Sequence, residues 1–140
     1  MQALRSVFRF WAVLVFVAVL AQVGAAGYGA FYTANKLDDK GDVLTHNGFE
    51  NGWDFHAGFG YIVVLGGLIL LVLALLASPG RGLVILSAIL AALFVIQVLL
   101  AYLGTAVPGA GFLHPLNALL LFAGTGLLAH RLWAGARRPA

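Results

Sequence analysis

Four long apolar stretches, separated by short connections, take up most of this 140-residue chain. An α-helix needs about 20 mainly apolar residues to cross the hydrocarbon core of a membrane. Each stretch is long enough, and together they cover residues 7–32, 53–77, 83–106 and 112–133. Residues 78–82 and 107–111 contain glycine and proline and read as tight turns, so only residues 33–52 form a loop of any size. The pattern predicts one all-α transmembrane domain over residues 1–140, built as a four-helix bundle.

The composition supports a membrane protein, because 62% of the residues are hydrophobic and only 9% are charged. A soluble domain of this size leaves much of its surface in water and cannot cover so many apolar side chains. Cysteine is absent, which excludes disulfides, iron–sulfur clusters, thiolate chemistry and a covalently attached haem. Membrane lipid is therefore the expected surrounding, and nothing in the sequence indicates nucleic-acid binding.

The charged residues are divided between the two sides of the predicted bundle. One side carries only basic charges, at Arg5, Arg9, Arg81, Arg131, Arg137 and Arg138. The other side carries every acidic residue together with Lys36 and Lys40; the acids are Asp38, Asp39, Asp42, Glu50 and Asp54. Because basic residues favour the cytoplasmic side, this division predicts that both termini are cytoplasmic and that the acidic loop is outside, in a bacterial inner membrane.

A faint repeat relates the two halves of the chain. Gln22 and Tyr28 in the first span are echoed by Gln97 and Tyr102 in the third. Each of these spans is followed by one with a histidine near its outer end. The pattern is consistent with two parallel-repeat hairpins related by an axis along the membrane normal, and chance similarity among apolar helices is the alternative.

His56 and His114 are the candidate functional residues, because the topology places them at similar depth on two different helices. Ionisable groups inside a membrane are costly and indicate function by default. A neutral imidazole binds a metal through one ring nitrogen, and two imidazoles facing each other across a bundle can take the two axial positions of a haem iron. We expect His46 to be a plain loop residue and His130 to be an interfacial residue with no partner histidine.

The neighbours of the two histidines fit a planar cofactor. Gly60 and Ala118 follow the histidines by one helical turn and would leave room for a macrocycle, against which Phe59 could pack. Small residues also allow close helix packing without any cofactor. Asn117 is included in the candidate site, although a structural hydrogen bond across helices is the favoured role for it.

Residues 53–61, WDFHAGFGY, together with residues 113–122, LHPLNALLLF, carry a resemblance. They resemble a family of small bacterial four-helix membrane proteins of unassigned function. The architecture also resembles one half of haem A synthase, in which four helices hold a haem between histidines near the outer ends of the second and fourth helices. His56 and His114 match those positions, so the resemblance implies a bis-histidine haem site.

Two departures limit what the resemblance implies. The catalytic half of that family pairs histidine with a nearby glutamate, whereas here Asp54 is the only close acid and its spacing does not match. The catalytic activity is therefore not carried over. In size the chain is also similar to small cytochrome b bundles, which usually hold two haems and need more histidines than are present here.

These observations predict a small b-type membrane cytochrome that binds one haem b noncovalently between His56 and His114 and transfers electrons without being an enzyme. Its expected partners are a quinol or a redox partner protein, and a homo-oligomer is left open. A haem carrier would use the same ligands. A different class, a cofactor-free scaffold or accessory subunit of a larger complex, predicts that the histidines hydrogen-bond to Gln22, Gln97 or Tyr28 instead.

A third hypothesis is a transition-metal site. It would combine His46, His56 and His114 with Asp54 or Glu50, if the outer loop folds back over the bundle. The spacing of these residues matches no closed metal site.

Overall fold

A computed structural model describes residues 1–136, which form four long α-helices and one short 3₁₀-helix. These are α1 Gln2–Asn35, α2 His46–Ala77, α3 Arg81–Ala106, the 3₁₀-helix Pro108–Phe112 and α4 Leu113–Ala136. Each of the four α-helices is long and apolar enough to cross a membrane. The predicted all-α membrane bundle is thus confirmed, while Arg137 and Arg138 lie outside the described residues.

The four helices form a closed ring in chain order. Helix α1 packs against α2 and α4, and α3 packs against the same two helices. Within residues 1–136 no Cα atom of α2 lies within 8 Å of one in α4, so these two helices face each other across the middle of the bundle. We call the end of the bundle with residue 1 and the end of α4 the terminal end. The opposite end, with residues 36–45 and the 3₁₀-helix, is the loop end.

Large apolar side chains fill the middle of the bundle, and Phe8, Phe94 and Leu128 are no more than 1% exposed. Gly67 lets Phe94 of α3 lie directly against α2, because a Cβ atom at Gly67 would be 2.6 Å from Cγ of Phe94. Many leucine, valine, isoleucine and phenylalanine side chains point outward instead, as expected where the solvent is hydrocarbon.

Side chains of α1 donate hydrogen bonds to the backbone of α2, among them those of Trp11 and Arg5. The indole Nε1 of Trp11 donates to the carbonyl oxygen of Gly66 at 2.9 Å. Nearer the terminal end, Nε of Arg5 donates to the carbonyl oxygen of Ala77 at 3.3 Å. That oxygen belongs to the last turn of α2, where the helix itself supplies no donor, so Arg5 satisfies a carbonyl that would otherwise lack a partner.

Helix α2 begins earlier than the hydropathy predicts. It starts at His46 rather than near Trp53, which shortens the predicted loop of residues 33–52 to residues 36–45. The hydroxyl of Thr45 accepts a hydrogen bond from the backbone N–H of Gly48 at 3.1 Å and caps the helix. Trp53 holds the extension against α1, where its Nε1 donates to the Thr33 hydroxyl at 3.0 Å. These first turns are polar, so a search for apolar spans does not detect them.

The early start of α2 also changes the position of His46. This residue, predicted to lie in a loop, is the first residue of α2. Its Nε2 lies 3.1 Å from a carboxylate oxygen of Glu50, one helical turn further along. Both side chains are exposed, so the contact is a surface feature of the helix start.

Candidate functional site

The structure brings the two predicted histidines together in the middle of the bundle. His56 of α2 and His114 of α4 have ring centres 6.2 Å apart, with the ring planes at 69°. Both residues are half-buried. His114 is the second residue of α4. His56 lies well inside α2, because α2 extends further toward the loop end than α4 does. The two imidazoles therefore meet across the bundle from helices that do not pack against each other.

Each histidine exchanges a pair of hydrogen bonds with a glutamine on the preceding helix. Nε2 of Gln22 donates to the carbonyl oxygen of His56 at 2.9 Å, and Nδ1 of His56 donates to the carbonyl oxygen of Gln22 at 3.3 Å. In the other half, Nε2 of Gln97 donates to the carbonyl oxygen of His114 at 3.1 Å, and Nδ1 of His114 donates to the carbonyl oxygen of Gln97 at 3.0 Å. The sequence repeat thus coincides with a repeated contact.

These bonds fix which ring nitrogen of each histidine carries the proton. A carbonyl oxygen can only accept, so Nδ1 of His56 and Nδ1 of His114 must both be protonated. In the neutral imidazole the other nitrogen, Nε2, then holds a free lone pair. Histidines that bind metals typically donate their second ring N–H to a carbonyl or carboxylate in this way. Both rings therefore carry their proton on Nδ1, which is the tautomer of a histidine that binds a metal through Nε2.

The two halves differ at the Nε2 nitrogens. Nε2 of Gln97 lies 3.1 Å from Nε2 of His114 and donates to it. The Gln97 amide is held there by Asn117, whose Nδ2 donates to Oε1 of Gln97 at 2.6 Å. Oε1 of Gln22, in contrast, is buried and has no hydrogen-bond partner within residues 1–136. Phe59 stands where Asn117 does, three residues after the histidine, and it has no polar group to offer.

Asn117 is 5% exposed and also donates to the backbone carbonyl of Leu93 at 2.9 Å. Its two bonds both reach α3. These bonds join α4 to α3, which is the structural hydrogen bonding across helices expected of Asn117.

The small residues near the histidines have different surroundings from those expected. A Cβ atom at Gly60 would lie 2.7 Å from Nε2 of Gln22, so in this structure Gly60 makes room for the Gln22 amide rather than for a cofactor. Ala118, at the equivalent position in α4, is half-buried. Phe59 is also half-buried, and its ring stacks on Phe55 with centroids 5.4 Å apart.

The remaining histidines lie away from this pair. His46 is ten residues before His56 on the same helix, which is about 15 Å along the axis. His130 is exposed at the terminal end, as expected. Within residues 1–136 no group of three histidine, aspartate or glutamate side chains is placed to hold a metal ion. The hypothesis of a metal site built from His46, His56 and His114 is therefore wrong, because residues 46–56 are continuous helix where that hypothesis needs a returning loop.

Two recesses in the surface lie elsewhere. A groove of about 490 Å³ near the terminal end is lined by Ser6, Val7, Phe10, Trp11 and Leu14. A smaller recess of about 260 Å³ at the loop end is lined by residues of α1, α2 and the loop between them. Neither is lined by His56 or His114. A planar macrocycle could enter between the two rings only if the side chains around them move apart.

Gln22 and Gln97 also belong to this site. The sequence predicts them as partners of the histidines only under the hypothesis of a scaffold without a cofactor. The signal that could have placed them beside the histidines is the repeat itself, since each glutamine recurs one helix before a histidine. Comparison of the chain with models of known protein families, with curated proteins and with solved structures found no match.

Proposed function

We propose that this protein is a small b-type membrane cytochrome that holds one haem noncovalently between His56 and His114. The observation that carries the proposal is the 6.2 Å distance between the two ring centres. A metal–imidazole bond is about 2 Å long and a ring nitrogen lies about 1 Å from the ring centre, so two imidazoles on opposite sides of one metal ion have centres about 6 Å apart. The observed ring-centre distance is close to the one that two imidazoles holding one metal ion would have.

The hydrogen bonds of the two histidines support the same conclusion. The backbone carbonyls of Gln22 and Gln97 hold the Nδ1 protons, so both Nε2 nitrogens are unprotonated. Nε2 of His114 would exchange its hydrogen bond from Gln97 for a bond to the metal. Both ligands are neutral, so binding does not require two buried positive charges. Haem iron bound by two histidines takes up and releases single electrons, and while both are bound it has no free position for a substrate. Electron transfer is therefore the proposed activity.

The charge distribution supports a position for this site in the membrane. In residues 1–136 the terminal end and the turn between α2 and α3 carry only basic side chains, at Arg5, Arg9, Arg81 and Arg131, while every acid lies towards the loop end. By the positive-inside rule both termini face the cytoplasm of a bacterial inner membrane. The histidine pair then lies in the outer half of the bilayer, within reach of a quinol in the membrane or of an electron carrier outside it. This is the arrangement implied by the resemblance to one half of haem A synthase.

Titration of the purified, haem-free protein with haem tests the proposal. We expect one haem per chain. His56→Ala and His114→Ala should each weaken binding by more than the roughly 10- to 100-fold that loss of an outer partner of a metal ligand costs. His46→Ala and His130→Ala are matched controls, since both residues are exposed, and should bind like the wild type. If all four variants bind equally, or if haem associates without a fixed stoichiometry, the proposed site is wrong.

A cofactor-free scaffold is the second candidate, and the glutamine–histidine bonds favour it, since it predicts those contacts. Under this hypothesis the bonds serve only to join neighbouring helices, and such bonds contribute about 0.6 kcal/mol on average in membranes. It gives no reason for the two imidazoles to meet at the spacing of axial ligands. A folded protein that stays colourless throughout the haem titration would leave the scaffold as the better account.

A further inference from the structure

We infer that the protein binds one anionic phospholipid at the terminal end of the bundle. The lipid phosphate contacts Arg9 and Trp133, and one acyl chain lies in the groove that runs along α1 from Ser6 to Leu14. The inference does not depend on a haem. It comes from two buried N–H groups without an acceptor, from the apolar groove beside them, and from a bundle end that carries basic side chains and no acid within residues 1–136.

Two hydrogen-bond donors are buried at this end without an acceptor. Nε of Arg9 in α1 and Nε1 of Trp133 in α4 are both buried, and neither has a hydrogen-bond partner within residues 1–136. The two side chains are adjacent, since the guanidinium carbon of Arg9 lies 5.6 Å from the centre of the Trp133 ring. A buried donor without a partner is costly, so two of them on adjacent side chains point to a ligand with oxygen acceptors.

The missing acceptor is an anion that the described part of the chain does not supply. Arg9 makes no ion pair within residues 1–136, because every acid lies towards the loop end. Its Nη2 donates to the hydroxyl of Ser6 at 3.0 Å, and that hydroxyl is a neutral acceptor. Arginine suits a phosphate better, because its fork of N–H donors can make two parallel hydrogen bonds to phosphate oxygens. A phosphate at this position can replace the Ser6 hydroxyl and bring Nε into the contact.

The groove indicates that the phosphate belongs to a lipid. It has a volume of about 490 Å³ and is lined by Ser6, Val7, Phe10, Trp11 and Leu14. Its ends are eight residues apart in α1, which is about 12 Å along the axis, so the groove leads from the end of the span into the hydrocarbon. Phe10 connects the groove to the unpaired donors, because its ring centre lies 5.4 Å from that of Trp133. Apolar walls of this length beside phosphate donors match a molecule that has both a phosphate and an acyl chain.

The charge of this end favours a headgroup with a net negative charge. Besides Arg9, the terminal end of the described chain carries Arg5, Arg81 and Arg131, and it carries no acid. A zwitterionic headgroup also contains a phosphate, but these arginines repel its ammonium group. Basic pockets between membrane helices bind anionic lipid headgroups for the same reason.

Binding of phosphatidylglycerol to the delipidated protein in detergent micelles tests the inference, with native mass spectrometry to count the lipids on each chain. We expect one tightly bound phosphatidylglycerol per chain. Phosphatidylcholine should bind at least about fivefold more weakly, the effect of one basic residue on one net charge. Inorganic phosphate at the same concentration should not displace the phosphatidylglycerol, because it cannot fill the groove.

Two pairs of variants separate the site from the general character of this end. Arg9→Gln removes hydrogen bonds to a charged group and should weaken binding about 10- to 100-fold. Arg131→Gln removes the same charge from an exposed position at the same end and should weaken binding by no more than about fivefold. Leu14→Trp fills the groove and should abolish the tightly bound lipid. Leu20→Trp is its matched control, since Leu20 is an exposed leucine of the same helix outside the groove, and it should bind like the wild type.

A second readout reports on Trp133 directly and needs no variant. The indole ¹H–¹⁵N resonance of Trp133 should shift when phosphatidylglycerol is added, because Nε1 gains an acceptor. The resonance of Trp53 should stay in place, since its Nε1 already donates to Thr33 near the loop end. Phosphatidylcholine should move neither resonance. This measurement keeps the inference testable if Arg9→Gln does not fold.

Four contrary outcomes would overturn the inference. Equal binding of phosphatidylglycerol and phosphatidylcholine would mean that the surface contacts lipid without selecting a headgroup. Displacement by inorganic phosphate would mean an anion site without a lipid, and pairs of chains without bound lipid would mean that a second copy covers the groove. If Arg9→Gln and Arg131→Gln weaken binding equally and the Trp133 resonance does not move, Arg9 and Trp133 do not hold the phosphate.

Discussion

Replacing Gly67 with alanine tests whether α2 and α3 approach as closely as the structure shows. The new Cβ atom would lie 2.6 Å from Cγ of Phe94, about 1 Å inside the usual carbon–carbon separation of about 3.5–4 Å. Because Cγ moves only with χ1, rotation of the ring about χ2 cannot relieve the contact, and Phe94 is packed in the core at 1% exposure. Either the helices separate or Phe94 leaves its rotamer.

The magnitude follows from two opposing effects. Overpacking of a core costs about 1–3 kcal/mol, whereas alanine in place of glycine favours a helix by up to about 1 kcal/mol. Since the overlap is severe, we expect Gly67→Ala to lower the free energy of unfolding by about 1–2 kcal/mol. The assay is unfolding by sodium dodecyl sulfate in mixed micelles, followed by circular dichroism.

Gly66→Ala is the matched control, because it changes the next residue of the same helix. Its Cβ atom would lie 3.4 Å from a methyl carbon of Val15, an ordinary contact, so its stability should equal or exceed that of the wild type. In a Phe94→Leu background, Gly67→Ala should lower the free energy of unfolding by less than it does in the wild type. If Gly67→Ala proves as stable as Gly66→Ala, the close approach of α2 and α3 in this structure is wrong.

Three further substitutions test single contacts by the same unfolding assay. Asn117→Leu removes two hydrogen bonds from α4 to α3 and should cost about 1–2 kcal/mol, and an unchanged stability would contradict the structural role of Asn117. Thr45→Val removes the cap of α2 and should cost about 1 kcal/mol, with faster amide hydrogen exchange at Gly48; exchange as slow as in wild type would contradict the early start of the helix. Trp11→Phe removes the bond to the carbonyl of Gly66 and should cost about 0.6 kcal/mol, whereas a gain in stability would argue against that contact.

The number of helices and their order could be predicted from the sequence because the hydrocarbon core sets a minimum length for an apolar span. The start of α2 could not, because residues 46–52 are polar and are held in the helix by the Thr45 cap and by packing of Trp53 on α1. Hydropathy reports transfer into a membrane and contains no information about a helix that continues beyond it.

At the site, the topology was enough to place His56 and His114 on facing helices at similar depth. The surroundings of each ring depend on side-chain geometry that the pattern does not contain. The small size of Gly60 predicts that it makes room for a cofactor. In this structure its missing side chain makes room for Gln22. Both glutamine amides donate to the backbone carbonyl of their histidine, and only the Gln97 amide also contacts the ring nitrogen, a difference that the sequence pattern does not contain.

The most direct test of the central claim is a reduced-minus-oxidised visible spectrum of protein purified from cells supplied with haem, recorded beside His56→Ala and His114→Ala. The account predicts a sharp low-spin b-type spectrum in the wild type that neither variant shows, because each imidazole supplies one of the two axial ligands. A folded wild-type protein without this spectrum, or a spectrum that survives in both variants, would contradict the proposal that His56 and His114 hold a haem.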